Sequence, residues 1–199
     1  MKINKVRGMI IFLSFLALMA MLIFENSLIA LVLSVFCIFA AVIVLYSNLA
    51  ELTDISNDNP KVRTLKFVTI FDAVVVICCV VAALLIGTGM IEVTENGEKF
   101  FAACITALVM LVLGIIAPKL PFSKHTGLRL PWTVSDEDTW VVAHRIVGYV
   151  SIPLVFVYVA CIPAIPNFEM LSMIVIILWI GIPGGLSYVF YHKKMKGLL

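Results

Sequence analysis

Charge is what this sequence has least of. Of its 199 residues 13% are Asp, Glu, Lys or Arg and 63% are apolar, where a water-soluble domain carries about 25% and about 45–50%. Twelve acids and fourteen bases cannot cover a soluble domain of this size, so that class is excluded and lipid becomes the main solvent. The sequence lacks CxxC and HExxH spacings, so no metal site is expected. Its five cysteines show no regular spacing and are not a disulfide framework. Cys37, Cys78 and Cys79 sit inside apolar runs as small packing residues, while a bridge between Cys104 and Cys161 stays geometrically open. The alternating segments of a membrane β-barrel are missing. So is any repeat between the two halves, which removes support for an inverted-repeat transporter. A net charge of +2 gives nucleic acid no footing.

What the sequence has is long apolar runs. A helix needs about 20 apolar residues to cross about 30 Å of hydrocarbon. Six stretches qualify: Gly8 to Phe24, Ser27 to Ala50, Phe67 to Ile91, Phe100 to Pro118, Trp140 to Pro163 and Met170 to Tyr191. Too little chain lies between them for a soluble domain, so the expected fold is all-α, a single six-transmembrane-helix bundle over residues 1–199. Lys2, Lys5 and Arg7 imitate a secretory signal, but the run after them is longer than an h-region and five more follow, so it reads as a retained span.

Orientation follows from the bases, which accumulate in cytoplasmic loops. Lys2, Lys5, Arg7, Lys61, Arg63, Lys66, Lys119, Lys124, Arg129, Lys193, Lys194 and Lys196 fall on one side of such a bundle. Lys99 falls on the other with Glu25, Glu92, Glu95, Glu98 and Glu169, and Arg145 lies inside the fifth run. The expectation is a cytoplasmic-membrane protein with both termini in the cytoplasm.

Two loops divide the chain on that side. The first, Glu51 to Lys66, carries Asp54, Asn57, Asp58, Asn59 and Pro60, which is turn chemistry in a connector. The second, Lys119 to Thr139, holds the densest polar and aromatic text. From Gly127 it reads GLRLPWTVSDEDTWVVAHRIVGY. Ser135 is placed to N-cap the fifth span, with Asp138 three residues on and Asp136 and Glu137 complementing the positive helix end. Trp132 and Trp140 are expected at the interface with their N–H groups wet. Pro131 stiffens the loop by fixing its own φ and restricting Leu130. Arg129 then either bonds one of Asp136, Glu137 and Asp138 or contacts lipid phosphate.

His144 and Arg145 lie about 9–10 Å into the fifth span, and Asp72 sits at similar depth in the third. A charge at membrane depth costs at least about 2.5–3.5 kcal/mol, so Asp72 is expected to pair with Arg145 or His144. The alternative for Arg145 is snorkelling to the interface. Trp140, His144 and Gly148 share one helix face, and Gly181, Pro183, Gly184 and Gly185 interrupt the sixth span near that level. Together these suggest either a small polar vestibule or a kinked helix packed tightly around an ion pair.

These residues carry a resemblance. Gly127, Arg129, Pro131, Trp132, Thr133, Ser135, Glu137, Trp140, His144, Arg145 and Gly148 resemble, at matching spacing, the signature of the SdpI family of bacterial membrane proteins. The likeness covers roughly residues 102–191, the last three spans and their loop. Val141, Val142 and Ala143 depart from it, since the family is usually polar or basic there, and so does Leu130, where threonine is frequent. The first three spans also lack the extra N-terminal domain of longer members. The resemblance implies immunity to a secreted antibacterial peptide toxin and, by analogy with the type case, a cytoplasmic transcriptional repressor as partner.

The expected function is therefore a non-enzymatic immunity and signalling protein with no cofactor, whose partners are the bilayer, a peptide toxin and a regulator docked on the loop. The alternative is a small transporter or proton conductor using Asp72, His144 and Arg145. Catalysis has little support, because a single membrane aspartate is no dyad and no serine nucleophile shares the depth of a histidine. Haem ligation by His144 and His192 fails on unequal depth.

Overall fold

The computed structural model of the protein describes residues 2–24, 27–53, 55, 62–123, 127–165 and 167–198. The turn residues Asp54, Asn57, Asp58, Asn59 and Pro60, the bases Lys61 and Lys124, and Glu25 lie outside the described residues. The regular structure described is helical: α1 (Lys2–Ile23), α2 (Leu28–Ser47), a short α3 (Leu49–Thr53), α4 (Val62–Gly87), α5 (Glu95–Ile116), α6 (Glu137–Cys161) and α7 (Phe168–Met195). A single 3₁₀ turn, Ala117–Lys119, extends α5. All of these except α3 are long and apolar enough to cross a membrane. The six-span all-α expectation therefore holds.

The chain divides into two compact units, Met1–Glu95 and Asn96–Leu199. In the first, α1 packs on α2 and α2 on α4. The residues buried between α1 and α2 are small: Ala17 and Ala20 against Ala30, Ser34, Cys37 and Ala41. Phe12, Phe15, Phe36 and Phe39 point outward instead. This inverts the soluble pattern because lipid tails are as apolar as any side chain, so helices associate through close backbone approach and shared polar contacts. Positions 30, 34, 37 and 41 recur at three- and four-residue steps, which places them on one face. From there the Ser34 hydroxyl donates to the Ala17 carbonyl at 3.1 Å.

The second unit is an antiparallel α6–α7 pair with α5 against it. Ala143, Val147, Ser151, Val155 and Tyr158 are the buried stripe of α6; Leu171 and Val175 face it from α7, and Ala103 and Met110 join from α5. A Cβ added at Gly114 of α5 would overlap the Ser151 side chain, and one at Gly148 would lie 2.8 Å from Pro118 Cγ. Glycine is what permits these approaches.

Three polar contacts fix the α6–α7 register. Tyr158 meets Ser172, Ser151 meets Trp179 and Asp136 meets Lys194. Each step back along α6 is matched by an equal step forward along α7, as an antiparallel pair in single register requires.

The possibility left open at Cys104 and Cys161 closes, since all five cysteines are free thiols. Helix α7 also runs unbroken from Phe168 to Met195 through Pro183. Proline is tolerated inside membrane helices where neighbouring groups satisfy the backbone, and Pro153 lies inside α6 in the same way.

Candidate functional site: a loop folded onto two helices

The second unit carries the polar loop that precedes α6, and its geometry starts at Gly127. That residue has φ +81°, a left-handed conformation open chiefly to glycine. A Cβ there would overlap His144 Nε2 and lie 2.6 Å from Trp140 Cη2. The missing side chain lets the backbone lie against these rings, and the Leu128 N–H reaches His144 Nε2 at 3.1 Å. Because Nε2 accepts that bond, the proton of the neutral ring sits on Nδ1, which faces the Trp140 carbonyl at 2.8 Å. One buried imidazole, 2% exposed, thereby clamps the loop to the first turns of α6.

Thr133 organises the next turn. It is fully buried, its hydroxyl donates to the Leu128 carbonyl at 2.7 Å and it accepts the Leu130 N–H at 2.9 Å. The Leu130 carbonyl takes the Thr133 and Val134 N–H groups, closing a turn in which Pro131 holds the position its fixed φ favours. The Ser135 hydroxyl then donates to the Pro131 carbonyl.

Outward from this turn, Trp132 reaches α7. Its indole N–H donates to Ser187 Oγ at 3.0 Å, and its ring meets Tyr188 edge-on at 5.0 Å between centroids. Leu130 covers Gly184, where an added Cβ would come within 3.2 Å of its Cδ1. An open groove of about 510 Å³ remains beside this contact, lined by Leu130, Trp132, Ile180, Gly181, Gly184, Gly185 and Tyr188.

The start of α6 closes the site. Asp136 is the N-cap and accepts from the Thr139 N–H at 2.9 Å and the Thr139 hydroxyl at 2.7 Å. Lys194, near the end of α7, donates to Asp136 at 2.5 Å and to Asp138 at 2.7 Å. Partial burial works to raise the Asp136 pKa, but the bonds from Lys194 and Thr139 outweigh it and hold the carboxyl below its ordinary range.

Several expectations are corrected by this geometry. Asp136 caps α6 instead of Ser135, whose hydroxyl is already spent on the turn. Lys194 pairs with Asp136 and Asp138, two of the three acids offered as one of the alternatives for Arg129, which is exposed. Trp140 is 1% exposed, edge-on to Phe122 and stacked on His144 at 3.9 Å. Its N–H has no partner among the described residues, so this indole is a packing surface for the loop and not part of an interfacial belt. The Trp132 N–H is bonded to Ser187 instead of being wet. Of the two alternatives near Gly181 to Gly185, a polar vestibule is not what stands there: the groove is apolar and His144 does not line it. Both His144 nitrogens are bonded within this unit. Arg145 is exposed on α6, Asp72 is exposed on α4 of the first unit, and Glu137 is exposed in the first turn of α6. Among the described residues no group of three or more His, Cys, Asp or Glu is placed to hold a metal ion.

Residues 119–189 match the family model described as the SdpI/YfhL protein family. The C-terminal part of the chain is therefore similar to the SdpI/YfhL family. It is similar to the immunity protein SdpI of Bacillus subtilis (strain 168), with 29% identity over 90 residues, 45% of this chain and 44% of that relative. The chain thus spans less than half the length of the curated relative it matches. No solved structure matches it. The matched segment opens at the 3₁₀ turn and ends beside Tyr188, so it holds the loop together with α6 and the greater part of α7.

Sequence reasoning missed the serines that tie α6, α7 and the loop together. Ser151, Ser172 and Ser187 share one device. Each donates back to a carbonyl of its own helix, Val147, Phe168 and Gly184 respectively, and each accepts from an aromatic donor on another element: Trp179, Tyr158 and Trp132. A serine in an apolar run and an aromatic donor elsewhere are visible signals, but their pairing needs the α6–α7 register. Lys194 was counted only as a base that sets orientation.

Proposed function

We propose that this chain is a non-enzymatic immunity protein of a bacterial cytoplasmic membrane, with both termini in the cytoplasm. It protects the cell against a secreted antibacterial peptide toxin, and the loop 119–139 presents a docking surface to a cytoplasmic regulator. One observation carries this reading: in a chain similar to an immunity protein, the segment that matches the family model is the segment in which Gly127, Trp132, Thr133 and His144 are committed to one loop conformation. A loop held so closely has little conformational entropy left to lose when a partner binds. Arg129 and Glu137 stay exposed on it and are the groups free to meet that partner. Proton conduction is the weaker reading, because a relay histidine needs a nitrogen free to exchange protons and both nitrogens of His144 are bonded.

The test is expression in toxin-sensitive cells challenged with a panel of secreted peptide toxins. Survival is expected with the natural chain, and its loss with Trp132→Ala or His144→Ala at unchanged protein level. Arg129→Ala is expected to lose protection while the loop stays folded. Killing unchanged across the panel contradicts immunity, and full protection by all three variants contradicts a role for the loop.

A further inference from the structure

The groove beside Trp132 is open and apolar, and no signature residue other than Trp132 lines it. Its floor is a helix face without side chains: Cβ atoms added at Gly181 and Gly185 would meet nothing within 4 Å. Leu130 and Trp132 wall it on the loop side and Ile180 and Tyr188 along α7. From Ile180 to Tyr188 it follows the helix for about 12 Å. At about 510 Å³ it falls within the range of small-molecule sites, roughly 300–1,000 Å³.

Charge gathers at one end of this slot. His192 stacks on Tyr188 at 5.3 Å, one turn beyond the apolar lining. Lys193 and Lys196 are exposed immediately after it, and exposed Arg129 directly precedes the wall residue Leu130. Lys194 is already engaged by Asp136 and Asp138, so the remaining bases are the ones that present positive charge to a ligand. An apolar slot inside a membrane-crossing helix that runs up to a cluster of bases has the complementarity of an amphiphile with an acidic head.

We propose that this groove binds one acyl chain of an anionic phospholipid, whose phosphate head meets Arg129, His192, Lys193 and Lys196. A second copy of the chain is the rival occupant, since Gly181 and Gly185 have the spacing of helix-pairing glycines. Symmetric pairing through them would bring two sets of Lys193 and Lys196 to the same end of the contact, and the Leu130 and Trp132 walls stand in the way of a flat helix face. The lipid gains from the bases that such a dimer would have to oppose.

The test is fluorescence of the full chain in phosphatidylcholine vesicles that contain rising fractions of phosphatidylglycerol with dibrominated chains. Bromine quenches indole on contact, so a bound chain beside Trp132 gives a saturating phase above the linear quenching by bulk lipid. The saturating phase is expected at low mole fraction in the natural chain and to be absent in both Gly181→Leu and Gly185→Leu, which fill the slot where space is open. In the double variant Lys193→Ala, Lys196→Ala it should need about thirtyfold more anionic lipid, since each of the two bases near the surface contributes about 1 kcal/mol. Linear quenching in the natural chain overturns the proposal, as does a saturating phase that persists in both leucine variants or that brominated phosphatidylcholine reproduces equally. Cross-linking that finds a dimer dissolved by the leucine substitutions assigns the groove to a second copy and also overturns it. The lysine variant leaves the helix core untouched, so misfolding of a leucine variant does not remove the readout.

Discussion

The two units solve the same problem of joining helices in lipid with different means. In Met1–Glu95 the α1–α2 contact rests on small residues in a stripe, with the Ser34 hydroxyl reaching one carbonyl across it. In Asn96–Leu199 the stripe is supplemented by side chains that answer one another specifically: Trp179 to Ser151, Tyr158 to Ser172, Trp132 to Ser187 and Lys194 to two acids. A small-residue stripe tolerates many sequences, because any residue small enough permits close approach. A donor matched to one acceptor at one depth does not. The difference explains why the recognisable text lies in the second half, and it implies that substitutions of similar size should have unequal effects in the two units.

The largest effect is expected at Gly127. Alanine there adds left-handed strain and a Cβ into the His144 and Trp140 rings, together costing about 2–4 kcal/mol. Thermal unfolding in detergent should show the loss, with new proteolytic cleavage confined to the loop. An unchanged midpoint would mean that the loop does not lie on those rings. His144→Phe keeps a ring against Trp140 but strands the Leu128 N–H, for an expected loss of about 1–3 kcal/mol in the same assay.

A pH effect should be smaller. The Asp136 carboxyl titrates below its ordinary range in the folded chain, so its contribution to stability is complete at neutral pH. It should begin to decline as pH falls through the usual carboxylate pKa near 3.9 and be fully lost once pH has fallen through the lowered folded value. Unfolding midpoints measured against pH check this, and Asp136→Asn should flatten the acid limb. Ser34→Ala in the first unit should have the least effect, about 0.6 kcal/mol, the average for polar contacts between membrane helices. A loss there as large as at His144 would erase the contrast between the units.

The sequence disclosed the fold because membrane crossing is a one-dimensional signal: six long apolar runs suffice, and length alone places them. The residues of the loop were legible too, but their roles were not. Ser135 looked like a cap because it precedes acids at the right spacing, yet Pro131 draws its hydroxyl into the turn and Asp136 takes the helix end. Trp140 has the composition of an interfacial indole, and only the fold of Gly127 and Leu128 over it reveals a buried one. Lys194 is 58 residues away from Asp136 in the chain, and no local spacing connects them. The contacts that escaped sequence reading are those set by the α6–α7 register.

The central claim is that a neutral His144, protonated at Nδ1, holds the loop through the Leu128 N–H. Nitrogen NMR of the chain labelled at histidine and leucine, in vesicles at neutral pH, measures it directly. The account predicts an Nδ1–H tautomer, an unprotonated Nε2 shifted by its accepted hydrogen bond, and a Leu128 amide protected from exchange. An imidazolium, an Nε2–H tautomer, or a Leu128 amide exchanging at the rate of open loop would contradict it.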